Sequence, residues 1–250
     1  MRVVFAGTPD PAVPSLRALA ASSHEVVGVV TRRDAPIGRK RVMTPSPVAV
    51  AAAELGLPII KADRLDETAT AEISALDAEL GVIVAYGGLV REPLLSTPSQ
   101  GWINLHFSLL PRWRGAAPVQ HALIAGDRVT GAAVFQLVPA LDAGDVFEEL
   151  RYDVPRGATA GDVLADLAMS GADLVTRVVD AISDGTAVAT PQSGEATLAP
   201  KLTQADGALD LSQPADRVVD RFRGTTPDPG APVAIGGQRL KVLAATRGPD

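Results

Sequence analysis

The densest run of reactive side chains lies at residues 104–118. There Asn104, His106, Ser108, Arg112 and Arg114 place an amide, an imidazole, a hydroxyl and two guanidiniums within 15 residues. The run follows Trp102-Ile103 and carries Pro111 and Gly115, so it reads as a strand end passing into a loop. His106 is one of three histidines. Imidazole changes charge near neutral pH, which suits it to move a proton or to present a cation. Asp142 lies beyond a second strand-like run, in the Gly-containing loop 139–145 that also holds Asp145. A carboxylate beside an imidazole favours the protonated ring and fixes its orientation. Spacing alone leaves a structural alternative for each residue. His106 can satisfy backbone groups at a strand end, and Asp142 and Asp145 can close Asx turns. Of the other histidines, His24 precedes a strand and is expected at the surface, while His121 falls inside a helical stretch and fits a structural role.

Such groups act only when a frame holds them, and the chain is patterned to build one. Residues 3–6 form an apolar run ended by Gly7-Thr8-Pro9-Asp10, and 11–21 then repeat apolar residues at helical spacing. A β-branched run at 26–30, a helix at 46–55 opening near Pro47 and a short strand at 58–60 continue the alternation. A helix at 67–78 then leads to a wholly apolar strand at 80–85. This order predicts an α/β fold, a Rossmann-like and mainly parallel sheet with helices on both faces. Ligands of such sheets bind beyond the carboxyl ends of the strands. Strands at 102–106 and 132–138 bring Asn104, His106 and Asp142 to one rim, with a helix at 116–125 between them. Thr159 and Asp162 form a capping box opening a long amphipathic helix that stops before Gly185. Residues 190–200 have the composition of a linker. A helix at 214–222 and a strand pair, 233–235 and 240–243 joined across Gly236-Gly237, follow it. Two strands do not make a stable domain.

Composition narrows the chemistry. At about 100–200 residues per domain, 250 residues allow one large domain and part of another. A hydrophobic fraction of 46% with 21% charged residues excludes general disorder. Zero cysteines exclude a disulfide framework, a cysteine nucleophile, a thiolate zinc site and an iron–sulfur cluster. Gly7 and Pro9 interrupt the N-terminus before a signal peptide's apolar stretch could finish, and no apolar run approaches the about 18 residues of a membrane span. A soluble, cytoplasmic protein is expected. A G-x-G-x-x-G turn is absent after the first strand, where Pro9 has no amide proton to offer a pyrophosphate, which disfavours a nicotinamide enzyme.

The formal net charge of −6 argues against a surface that coats nucleic acid. It conceals one contrast. Residues 32–41 hold five of the 23 basic residues and one acid, a local +4 that leaves the rest of the chain at −10. Taken alone, such a run is usually a solvated loop.

Asn104-x-His106 followed by Ser108-Leu109-Leu110-Pro111, with Asp142 further on, resembles the site of the folate-dependent formyltransferases. Residues 5–10, the extension Trp113-Arg114-Gly115-Ala116-Ala117-Pro118, and Leu141-Asp142-x-Gly144-Asp145 are similar to the members of that family that act on methionyl-tRNA. The likeness runs over about residues 1–245. It implies transfer of the formyl group of 10-formyltetrahydrofolate to the α-amino group of methionine on initiator tRNA. Asn104 and a protonated His106 would then stabilise the oxyanion, and Asp142 would hold His106 cationic and help move the amine's proton. Ser108, Leu109, Leu110 and Pro111, with Leu89 and Val90 after Tyr86-Gly87, would line the folate pocket. No metal is required. The basic loop would reach the tRNA, with Arg39, Lys40 and Arg41 neutralising phosphates.

The chain departs from the family pattern at Arg32-Arg33-Asp34, where Gln-Pro-Asp is usual, at Phe107, where a small residue is usual, and across 138–145. The resemblance implies a catalytic domain at 1–189, a linker at 190–205 and the beginning of a tRNA-holding, OB-like β-barrel at 206–250. The barrel is left incomplete where the chain stops. A monomer with no membrane partner is expected. Two alternatives remain: a sibling enzyme acting on a small amine such as an amino sugar or glycinamide nucleotide, and a catalytically silent tRNA-binding remnant. Retention of Asn104, His106 and Asp142 argues against the second.

Overall fold

Apolar patterning sets the order of elements in the computed structural model, which describes residues 1–38 and 40–246. The first half contains β1 (Arg2–Gly7), α1 (Val13–Ala21), β2 (Glu25–Thr31), β3 (Ala35–Ile37), β4 (Val42–Thr44), α2 (Pro47–Glu54), β5 (Ile59–Lys61), α3 (Glu67–Ser74) and β6 (Leu80–Val84). There follow β7 (Trp102–His106), α4 (Pro118–Ala125), β8 (Val129–Gln136), β9 (Val146–Asp153) and α5 (Ala160–Ser183). The chain continues with α6 (Ala215–Thr225), β10 (Ala231–Ile235) and β11 (Gln238–Val242).

Seven strands form one sheet in the order β5-β2-β1-β6-β7-β8-β9. Pairing is parallel from β5 through β7 and antiparallel between β7 and β8. The strand order reverses between β1 and β6, which makes their carboxyl ends a topological switch point. Every residue of β6, and every residue of β1 after Arg2, is buried, because strands covered on both faces are apolar along their whole length. Gly81 lets this layer close. A Cβ there would stand 2.2 Å from the Trp102 ring. Trp102 itself is fully buried, and its Nε1 donates to the Leu94 carbonyl at 2.8 Å.

The helix starts follow local capping. The Ser46 hydroxyl accepts from the Ala49 amide at the start of α2, and the Thr159–Asp162 box is formed by reciprocal bonds. Three features differ from the sequence reading. The basic loop is a hairpin, β3 and β4. Strand β9 exists although its alternation of charged and apolar residues is short and half exposed. His24 is buried rather than superficial, its Nε2 standing 2.9 Å from Asp180 Oδ1 of α5. A polar turn hid a residue that α5 covers.

The chain divides into two compact units. The first comprises Met1–His106, Ala133–Glu149 and Ala168–Gln192; the second comprises Phe107–Ala132, Leu150–Leu167 and Ser193–Asp250. Val4, Ala6, Val30, Ile83, Tyr86 and Trp102 lie in a core cluster of the first. In the second, Leu209, Phe222, Ala231 and Val233 form a smaller core. There α6 packs on α4 so closely that a Cβ at Gly224 would stand 2.6 Å from the Gln120 carbonyl oxygen. β10 and β11 pair antiparallel across Gly236 and Gly237, both at positive φ, as a two-residue hairpin turn requires. Among the described residues, no helix is long and apolar enough to cross a membrane.

Candidate active site

β7 lies between β6 and β8 and carries two of the expected site residues. Strand side chains alternate, so Asn104 and His106 face the same side of the sheet. The Asn104 Oδ1 atom is buried and has no hydrogen-bond partner among the described residues. An unpaired buried polar group costs about 1–3 kcal/mol, so this oxygen is an acceptor open to a ligand's donor. The His106 side chain is 6% exposed, and its Nδ1 lies 3.8 Å from Oδ2 of Asp142, whose side chain is 12% exposed. That separation is an ion-pair distance and exceeds a direct hydrogen bond. Phe135 of β8 meets the imidazole edge to face, with ring centroids 6.3 Å apart, and limits its rotation.

The loop that presents Asp142 is held from two sides. Asp142 adopts a φ of +43°, in the left-handed region that an aspartate tolerates better than most residues. The Gln136 amide donates to the Asp145 carbonyl at 2.9 Å, and a Cβ on Gly144 would fall 1.7 Å from the Gln136 carbonyl oxygen. Only glycine fits that approach. From the other side, Gln192 Nε2 donates to the Asp142 carbonyl at 2.9 Å and to the Gly144 carbonyl at 2.8 Å.

The loop after β6, where Leu89 and Val90 stand, is also fixed at its base. Tyr86 is buried and its hydroxyl donates to the Ala62 carbonyl at 2.6 Å. Burial raises its pKa, partly offset by the Arg32 guanidinium nearby. Thr8 Oγ1 donates to the Tyr86 carbonyl, and Arg32 donates to the carbonyls of Tyr86 and Gly87. Leu89 is 67% exposed, whereas Val90 packs against the core.

Arg32 is thus engaged inside the fold, and Lys61 pairs with Asp34 at 2.6 Å. Arg33 is exposed and lines a cleft in the first unit, so the remaining described positive charge of the basic segment sits at the hairpin tip. There Lys40 and Arg41 are exposed, Arg41 at a φ of +49°. Ile37, Val42 and Met43 beside them are more than half exposed. Arg39 lies outside the described residues.

Ser108, Leu109, Leu110 and Pro111 follow β7 and belong to the second unit. Ser108 is fully buried and its hydroxyl donates to the Arg112 carbonyl at 2.6 Å, so it shapes the turn itself. Arg112 and the Trp113 indole both donate to Asp127, and Trp113 stacks on His121 at 6.0 Å. His121 in turn lies 2.9 Å from the Pro200 carbonyl oxygen through Nε2. A cleft of about 350 Å³ in the first unit, lined by Arg33, Lys61, Arg64, Asp63, Asp66 and Glu72 among others, contains none of the expected site residues. Among the described residues, no group of three or more His, Asp or Glu could hold a metal ion.

Residues 1–179 match the formyl transferase family, and residues 201–250 match the formyl transferase C-terminal domain. The chain belongs to the formyltransferase family. The methionyl-tRNA formyltransferase of Leifsonia xyli subsp. xyli is 66% identical to this formyltransferase over 98% of the chain and 80% of the relative's length. A 4-N formyltransferase from Francisella tularensis superposes with a TM-score of 0.77 at 16% identity, over 98% of each chain. An N-formyltransferase from Helicobacter canadensis, in complex with folinic acid and dTDP-3-aminofucose, gives 0.73 at 14% identity over 96% of this chain and 86% of that one. At such identities the likeness is one of fold.

The sequence reading of this formyltransferase missed Gln192 and Phe135. Gln192 sits in the segment read as a linker, and Phe135 in a strand read only as apolar. Thr190, two residues before Gln192, bridges to Val146, and no one-dimensional pattern announces that bridge.

Proposed function

We propose that the chain transfers the formyl group of a folate-derived donor, 10-formyltetrahydrofolate, to the α-amino group of methionine on initiator tRNA. The approach of Asp142 to His106, on the side of the sheet that also presents Asn104, carries this reading. The 66% identical relative, named a methionyl-tRNA formyltransferase, supports the choice of acceptor.

The donor supplies an activated formyl carbon. This chain's residues then have three tasks. A cationic His106 and the Asn104 amide donate hydrogen bonds to the formyl oxygen as it gains negative charge. Asp142 stabilises the imidazolium and accepts the proton that the amine loses on forming its bond to carbon. The bond from the formyl carbon to the donor nitrogen breaks as that nitrogen takes up the proton Asp142 accepted, and it leaves as a neutral amine. On this reading the donor meets the Asn104 amide and the exposed Leu89, with Val90 behind it. Leu109, Leu110 and Pro111, with Ser108 shaping their turn, belong to the same assignment.

Lys40 and Arg41, and Arg39 with them, meet tRNA phosphates. The division into a catalytic part at 1–189, a linker at 190–205 and a tRNA-holding part at 206–250 goes with this reading, as does a monomeric enzyme working in the cytoplasm. The deciding experiment supplies purified protein and 10-formyltetrahydrofolate with either initiator Met-tRNA or a nucleotide-linked amino sugar. N-formylmethionyl-tRNA is the expected product. Formyl transfer to the sugar amine alone overturns the assignment of acceptor.

A further inference from the structure

We infer that Gln192 is a positioning residue for Asp142, an inference that rests on the formyl-transfer reading above. One side-chain amide donates to two carbonyls, Asp142 at 2.9 Å and Gly144 at 2.8 Å. Both carbonyls must therefore point toward the same nitrogen. That requirement suits the left-handed φ of +43° at Asp142, a conformation costing an L-residue about 1–2 kcal/mol unless its surroundings hold it.

Gln192 is itself anchored. Thr190, two residues before it, exchanges both backbone hydrogen bonds with Val146, at 2.8 and 2.9 Å. Val146 opens β9 directly after the Asp142 loop, so the glutamine and the loop it grips share one scaffold. The opposite side of the loop is closed by the Gln136 backbone, through the Asp145 carbonyl and the contact that only Gly144 permits. Removing the amide frees two carbonyls at once. The backbone at Asp142 then relaxes toward an ordinary φ, and the carboxylate swings away from its place 3.8 Å from His106 Nδ1.

The test is a double-mutant cycle in the full chain, joining Gln192→Ala and Gln192→Glu to Asp142→Asn. The glutamate keeps the shape but has no hydrogen to donate when ionised. Either single change at Gln192 is expected to lower kcat about 10- to 100-fold with little change in the KM of donor or acceptor. In the Asp142→Asn background the same change is expected to cost less than about 3-fold, because residues acting through one another are not additive. The His106 ring NMR signals shift in the Gln192 variants, while those of His24 and His121 stay. Equal losses of kcat in both backgrounds, or an unmoved His106 signal, overturn the inference. The NMR readout needs no turnover. Absence of formyl transfer by the unaltered protein would therefore sink the reading of function and still leave the positioning role decided.

Discussion

His106 Nδ1 and Asp142 Oδ2 stand 3.8 Å apart in a site where neither side chain is more than 12% exposed. They come from different segments, a strand end and a loop, and little water surrounds them to weaken their interaction. Under the proposed mechanism the pair acts as one acid–base unit. Replacing His106 by Ala removes the donor proposed for the formyl oxygen and is expected to lower kcat about 100-fold or more, with folate binding retained. Asp142→Asn is expected to do the same, and the double variant to be little worse than either single one. Single-turnover formylation and a donor-binding titration separate the two effects. Near-normal turnover in His106→Ala would remove this assignment.

Much of this arrangement was legible in the sequence. The apolar runs of β1, β2 and β6 follow from a sheet buried on both faces, and Asn104 and His106 share a face because they are two residues apart on a strand. Asp142 was legible as a candidate, although nothing in its spacing showed that it meets His106. What stayed hidden depends on contacts between distant segments. Arg32 reads as part of a basic loop, yet it is spent on the carbonyls of Tyr86 and Gly87. His24 follows a polar turn, yet α5 buries it against Asp180. Gln192 lies in a stretch with no period, and its function arises from a bridge to β9.

The hairpin tip gives a prediction about salt. Lys40 and Arg41 are exposed, whereas Arg32 is held within the fold. Replacing Lys40 or Arg41, or Arg39 between the same strands, by Ala is expected to weaken tRNA binding and reduce the slope of log affinity against log salt by about 0.7–0.9 per lost phosphate contact. kcat at saturating tRNA changes little. Measuring the tRNA KM between about 50 and 200 mM salt checks this. An unchanged slope in all three variants would take the hairpin out of the tRNA interface.

Gly81 gives a prediction about stability. A Cβ there would meet the Trp102 ring at 2.2 Å, and the indole cannot retreat without giving up its bond to the Leu94 carbonyl. Overpacking of this kind costs about 1–3 kcal/mol. Gly81→Ala should therefore lower Tm by roughly 2–12 °C for a chain of this size. Calorimetry reads it directly, and an unaltered Tm would mean that the Trp102 layer is looser than its geometry indicates.

Tyr152 gives a prediction about alkaline pH. Its hydroxyl donates to Asp166 Oδ2 at 2.5 Å, and its pKa is pushed up from 10.0 to about 12, first by loss of hydration and then by the bond to the carboxylate. Below pH 10 the phenol is protonated in the folded and unfolded chains alike, so the bond contributes in full. Between pH 10 and 12 the unfolded chain releases this proton and the folded one keeps it, so stability falls as pH rises. Above about 12 the folded phenol ionises as well and the contribution is gone. Tyr152→Phe lacks the titrating group, so its stability should start lower at neutral pH and decline less steeply between pH 10 and 12. Denaturant midpoints for both proteins at pH 8, 10 and 11 test this. Parallel declines would show that the Tyr152–Asp166 bond does not couple proton release to folding.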